Sequence, residues 1–395
     1  MIHEESMLLM LIVTLGATGG GAFQGPGGAP GAPDPSWTGI AALFHRRMDE
    51  ELVVGGSLWM VQGGDVVHRE HHGWADVDAG RRVDEETIFH WASITKTITA
   101  IAVLQLRDRG LLSLDDPAVR HVPELREVHS PWGTVADVTV RHLLSHSAGF
   151  RGPTWPWGGD QPWHPYEPTR WEQLVAMMPY TELLFPPGAR FSYSNPGVIF
   201  LGRIIERLSG DDYEVYVHKN ILAPLRMRAS YFDVTPRHLL AHRSNNYALV
   251  DGRAVANGLD FDTGITTSNG GLNAPLTDMS RYLAFLTGHC PDDACRGVLA
   301  RESLREMWRP VLPVAPGAAE AAAGLPAGWK ESIGLGFFVY ERGDDIVVGH
   351  TGSQKSFRAF FYLAPETGAA VIGAMNTTGD ADADAIRSEL RSGIL

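Results

Sequence analysis

Apolar positions recur every three or four residues over 40–51, the spacing of an amphipathic helix. The pattern then shortens to strand-like runs. SLWMVQ and DVVHREHH flank Gly63-Gly64 and predict two strands joined by a tight hairpin turn. From Ser93 to about Arg109 the helical spacing returns with apolar residues on most faces, so this helix is predicted to be buried, with Gly110 as its left-handed cap. Further helices are predicted over 140–145, 170–178, 196–208, 212–221 and 278–286. The last third reverts to β-rich runs: GLGFFVY, DIVVGHTG, RAFFYLAP and AAVIGAMN, with Glu366-Thr367-Gly368 turning between the last two. A closing helix is expected over 381–391. Strands at both ends with helices between them predict an α+β fold: one sheet assembled from the N- and C-terminal parts, with a helical insertion. The sheet lobe is assigned to about 36–92 and 288–395, the helical lobe to about 93–287. No repeat period is visible.

At 395 residues the chain can bury a large core. Its formal net charge of -13 and lack of any basic tract argue against nucleic acid as a partner, since phosphate binding rests on clustered Lys and Arg. The run LLMLIVTLGATGGGA reads as a secretory h-region followed by small residues, too short for a membrane span. Glu4 and Glu5 stand where positive charge is expected, and initiation at Met7 would remove both. A Gly/Pro linker, QGPGGAPGAPDP, follows. Residues 1–35 are therefore set apart from a domain of 36–395, with export to the periplasm or medium expected and a cytoplasmic location as the alternative. Cys290 and Cys295, the two cysteines, can close a small disulfide loop in an oxidising compartment.

Lysine is scarce: Lys96, Lys219, Lys330 and Lys355 are the four. One of them falls inside WASITKTITA, one helical turn from Ser93, where the pattern asks for burial. A serine hydroxyl is a weak nucleophile that needs a base in hydrogen-bond reach, and burial makes a lysine a better proton acceptor. A helix start at Ser93 also aims free N–H groups at developing negative charge. Tyr193 and Asn195 in FSYSNPG, and His350 and Thr351 in GHTGS, offer further polar groups, while Gly352 would let a substrate backbone approach the strand edge; each stretch taken alone also reads as an ordinary turn.

Together these three stretches resemble the serine β-lactamase and penicillin-binding-protein superfamily, closest to its class C β-lactamase-like branch with esterases and D-amino-acid-specific peptidases. Ser93-Ile94-Thr95-Lys96 matches Ser-x-x-Lys, Tyr193-Ser194-Asn195 matches Tyr-x-Asn, and His350-Thr351-Gly352 matches Lys/His-Thr/Ser-Gly. LLSHSAGF, LFPPGARFSYSN and NGGLNAPLTDMSRYLAFL are similar to segments of the family, and the likeness extends over about 40–378. It implies a β-lactamase/transpeptidase-like fold, an antiparallel sheet flanked by helices plus an all-helical lobe. It also implies an acyl-enzyme on Ser93, with Lys96 and Tyr193 sharing the proton, Asn195 orienting Lys96 and substrate, and the backbone N–H groups of Ser93 and Ser353 forming the oxyanion hole. His350, Thr351 and Gly352 would contact substrate. No metal or organic cofactor is implied.

Two positions depart from the pattern. His350 replaces the lysine of the class C β-lactamases, exchanging a permanent cation for a group mostly neutral at pH 7. Ser356 stands where glycine is frequent. The first departure favours an ester or peptide substrate over a β-lactam. True β-lactamase, D,D-carboxypeptidase and a non-catalytic peptidoglycan- or protein-binding scaffold are the alternatives. An aromatic stretch, TWPWGGDQPWHPYEPTRW, offers Trp155 and Trp157 as a cleft wall or as cover for the helical lobe. His68, His71 and His72 read as solvated strand histidines rather than metal ligands. Oligomeric state is not legible.

Overall fold

A computed structural model describes residues 35–152, 168–259, 263–315, 325 and 328–378. Nine strands make its large sheet: β1 (Gly55–Gln62), β2 (Asp65–Asp76), β3 (Arg81–Arg82), β4 (Leu312–Pro313), β5 (Lys330–Ile333), β6 (Phe338–Arg342), β7 (Asp345–Gln354), β8 (Phe357–Ala364) and β9 (Ala369–Met375). They pair in the order β3-β2-β1-β9-β8-β7-β6-β5-β4, antiparallel throughout. The two ends of the chain meet where β1 pairs β9, from Gly56 opposite Met375 to Gln62 opposite Ala369. Gly63 and Gly64, at φ +60° and +88°, turn β1 into β2. Side chains that prefer negative φ fit such a turn poorly.

Alternation along the strands builds two cores. On one face Trp59, Val61, Phe357, Ala359, Phe361 and Leu363 pack with the helices; on the other Leu58, Met60, Phe360 and Tyr362 pack beneath helix α1 (Pro35–Glu50) through Trp37, Ile40, Phe44 and Met48. Because both faces are covered, β8 and β9 are buried almost without interruption. Helix α2 (Thr95–Asp108) lies under the sheet and is buried from Thr95 to Leu106. Its threonines tolerate this because their hydroxyls find partners: Thr95 Oγ1 donates to the Ala92 carbonyl and Thr97 Oγ1 to that of Ile94, both at 2.7 Å. Helix α3 (Asn195–Ser209) is capped by the Ser194 hydroxyl and ended by Gly210 at φ +77°. Helix α4 (Leu276–Thr287) adds Met279, Tyr282, Leu283 and Leu286 to the inner core.

Several expectations shift. The helix expected from residue 40 begins at Pro35. The strand expected over 334–340 begins at Phe338, because Gly334 turns back to bond the Phe337 carbonyl at 2.8 Å. The helix expected over 212–221 is α-helical over Tyr213–Val217 and then widens into a π turn, His218–Leu222. Strands β4 and β5 and the hairpin Tyr247–Val250 with Arg253–Ala256 had no clear periodicity. The histidines of β2 are only partly solvated: His68 stacks on Trp37 at 4.9 Å, and His72 lies half-buried near Asp49, both against α1. Cys290 and Cys295 are joined as a disulfide. Among the described residues no helix is long and apolar enough to cross a membrane. The closing helix expected over 381–391 and the segment 1–34 lie outside the described residues.

Candidate active site

Ser93 occupies a 3-10 turn, Ala92–Ile94, that feeds directly into α2. The turn is held by Trp91, whose N–H donates to the Leu272 carbonyl and whose indole Nε1 donates to that of Ala274, both at 2.8 Å. Ala92 adopts φ +47°. That conformation costs an L-residue roughly 1–2 kcal/mol. Ser93 stays partly exposed while both its neighbours are buried. Lys96, one helical turn on and only 2% exposed, donates from Nζ to Ser93 Oγ at 3.0 Å and to the Asn269 carbonyl at 2.8 Å. The buried ammonium is thus tied to the hydroxyl instead of reaching solvent.

Tyr193 closes over the same ammonium, with Lys96 Nζ 4.9 Å from its ring centroid. The ring stacks on His146 at 4.4 Å, and His146 Nδ1 accepts the Ser194 N–H at 3.1 Å. Burial and then Lys96 and His350 hold His146 well below the usual histidine range, so it is a neutral platform for Tyr193. Asn195 lies at the first turn of α3, but its Oδ1 is buried without a partner among the described residues. Lys96 thus makes no hydrogen bond to that oxygen. Asn269, which sequence reasoning passed over inside NGGLNAPLTDMS, supplies an acceptor for Lys96 through its backbone, an atom no motif can advertise.

β7 completes the arrangement. Its ladder with β6 ends at Gly349, so β6 leaves the stretch from His350 to Gln354 unaccompanied on that edge. A Cβ on Gly352 would lie 2.2 Å from the Trp91 carbonyl oxygen. Glycine here admits the turn that carries Ser93, where the sequence had suggested room for a substrate backbone. Thr351 is half-buried and Ser353 exposed. His350 is 2% exposed; its Nδ1 donates to the Thr351 carbonyl at 2.6 Å, while Nε2 has no partner among the described residues. Burial, reinforced by Lys96, lowers its pKa to about 3. Ser356 turns out to be an anchor, its Oγ accepting from Asn257 Nδ2 at 2.9 Å. Trp155 and Trp157 lie outside the described residues; Trp171 packs edge-on against Phe200.

The buried histidines carry a stability consequence. His350 at about 3 and His90 at about 4 are neutral when folded, yet titrate near 6.5 when unfolded. Folded-state pKa values are depressed, so this contribution is complete above pH 6.5 and is lost as pH falls towards 4 and 3. Each group removes roughly 1.4 kcal/mol per pH unit across its window. Thermal midpoints followed by circular dichroism should fall steadily from pH 6.5 to 4; a flat profile would contradict the neutral assignment.

The beta-lactamase family model matches residues 40–393. Esterase EstB of Burkholderia gladioli is 32% identical over 196 residues, covering 48% of this chain and 50% of that protein. This chain spans half to three-fifths of the length of the curated relatives it matches, 50% and 60% for the first two. The octameric penicillin-binding protein homologue from Pyrococcus abyssi is 31% identical with a TM-score of 0.72, covering 87% of this chain and 74% of that one. A D-stereospecific amidohydrolase from Streptomyces sp., 23% identical with a TM-score of 0.67 over 90% of this chain and 98% of that one, shares the fold.

Proposed function

Since this chain belongs to the beta-lactamase family of serine hydrolases, we propose that it hydrolyses small esters or amides through an acyl-enzyme on Ser93. The observation carrying the proposal is the 3.0 Å hydrogen bond between buried Lys96 Nζ and Ser93 Oγ. In this reading Ser93 Oγ attacks the substrate carbonyl carbon and its proton passes to the Lys96–Tyr193 pair. The pair titrates as a unit and returns the proton to the leaving alkoxide or amine. Negative charge on the carbonyl oxygen is met by the N–H groups of Ser93 and Ser353. Water then cleaves the acyl ester and restores the serine. A binding scaffold has no use for a buried ammonium aimed at a hydroxyl, which weighs against the non-catalytic alternative. The Cys290–Cys295 bridge supports an exported protein.

His350 bears on the substrate. Neutral at pH 7, it offers a substrate carboxylate no cation, which favours esters and uncharged amides over β-lactams. We expect p-nitrophenyl butyrate to exceed nitrocefin in kcat/KM by about 100-fold or more, and His350→Lys to narrow the gap about tenfold, the worth of one charge-assisted hydrogen bond. Fast nitrocefin turnover by the wild type would overturn the preference. A second reading, an amidase for D-amino-acid derivatives, is supported by the two buried acceptors left open, Asn195 Oδ1 and His350 Nε2. They suit a substrate bearing N–H groups. Faster cleavage of D-alanine p-nitroanilide than of its L-isomer would favour that reading; equal slow rates would count against it.

A further inference from the structure

His90 plays no part in the chemistry above, yet it is only 1% exposed, engaged at both ring nitrogens and also hydrogen-bonded to the Gly270 backbone. Nδ1 lies 2.9 Å from Asn273 Oδ1, and Nε2 lies 2.9 Å from Gln354 Oε1. Burial first, and then Arg243, lowers its pKa to about 4. A neutral ring has one N–H and one lone pair, so it cannot donate to both partners. Asn273 directs its own Nδ2 to the Gly271 carbonyl at 3.3 Å, which turns Oδ1 towards His90 and makes Nδ1 the donor. Two oxygens facing a ring with one N–H leave one contact unmade, so turning the Gln354 amide half a turn, which brings Nε2 a donor in place of Oε1, satisfies both.

The three residues belong to three segments that have to agree. His90 ends the short strand Ile88–His90, three residues before Ser93. Asn273 pairs with it across the strand Leu272–Pro275, four residues beyond the Asn269 carbonyl that holds Lys96. Gln354 ends β7, directly after Ser353. The fit is close: a Cβ on Gly270 would come within 2.8 Å of the Gln354 side-chain amide. Past Gln354 the turn is pinned again, with Lys355 at φ +52° and Ser356 held by Asn257. The end of β7 is thus gripped by side chains on either side of its turn.

We infer that His90 is a positioning residue, whose ring locks Gln354 and thereby keeps the Ser353 N–H in register with Ser93 and Lys96. The inference rests on the acyl-enzyme reading. Loss of an oxyanion donor costs about 10²–10³-fold in kcat, so a donor set adrift should cost about 10–100-fold. Gln354→Met and His90→Phe keep bulk while removing the polar link. Both are expected to lower kcat for p-nitrophenyl butyrate by about 10–100-fold with KM within about twofold. Affinity for phenylboronic acid, a tetrahedral mimic that occupies the oxyanion hole, should fall in parallel. Gln62→Met serves as control: it removes an amide that donates to the Thr367 carbonyl at 2.9 Å beside the β8–β9 turn. It should shift the thermal midpoint without changing kcat or boronate affinity. If His90→Phe fails to fold, the half-buried Gln354 decides the matter. A folded Gln354→Met with unchanged kcat and boronate affinity overturns the inference, as does an equal kcat loss in Gln62→Met. A wild type that no fluorophosphonate labels overturns the acyl-enzyme reading and this inference with it.

Discussion

Ser93→Ala is expected to lower kcat/KM on the best ester or amide by about 10⁴-fold or more and to abolish covalent labelling by a fluorophosphonate. The substitution deletes one oxygen whose partner is the Lys96 ammonium, at a partly exposed position. Neither the strained Ala92 nor the Trp91 anchors depend on that oxygen, so the turn should keep its shape. Stability should therefore move by no more than about 1 kcal/mol, the range for a site that neither fills a core nor caps a helix. Intact-protein mass spectrometry checks the chemistry: one phosphonyl adduct on the wild type and none on the variant. An adduct that persists in Ser93→Ala would place the nucleophile elsewhere and remove the basis for the acyl-enzyme.

How much of this was legible beforehand follows from which atoms do the work. The one-turn spacing of Ser93 and Lys96 is a property of helix periodicity, and it survives as a hydrogen bond. Pairing of the N- and C-terminal strands followed from where apolar runs sit, and β1 meets β9 as that order requires. What stayed hidden runs through backbone atoms and distant pairings. The Asn269 carbonyl that holds Lys96 looks like any carbonyl in the sequence. Contact between His90 and Gln354 joins positions 264 apart. Gly352 was read for the right reason and the wrong neighbour: close approach is needed, and the Trp91 carbonyl makes it. Short strands such as β4 and β5 carry too few residues for periodicity to register, so they emerge only once β6 is present to pair with.

Lys96→Met is expected to cost about 10³-fold or more in kcat/KM while leaving the fold almost as stable as before. Methionine fills similar space with a flexible apolar chain, so packing around α2 persists. Two terms then oppose each other. Removing a 2% exposed ammonium relieves the cost of burying a charge, whereas the Asn269 carbonyl loses a donor, worth about 1–3 kcal/mol when a buried acceptor is left open. Activity has no such offset, because the Lys96–Tyr193 pair that takes the Ser93 proton loses a member, and general base catalysis contributes about 10²–10⁴-fold. The histidines provide an independent readout. Lys96 is the second cause, after burial, of the lowered pKa of both His146 and His350. Without the cation both should rise, yet stay below 6.5 because burial is untouched. Imidazole resonances followed by NMR between pH 3 and 7 would show the shift, and acid stability should improve with it. A variant that keeps its activity while His350 titrates higher would leave Tyr193 as the base and reduce Lys96 to an electrostatic neighbour.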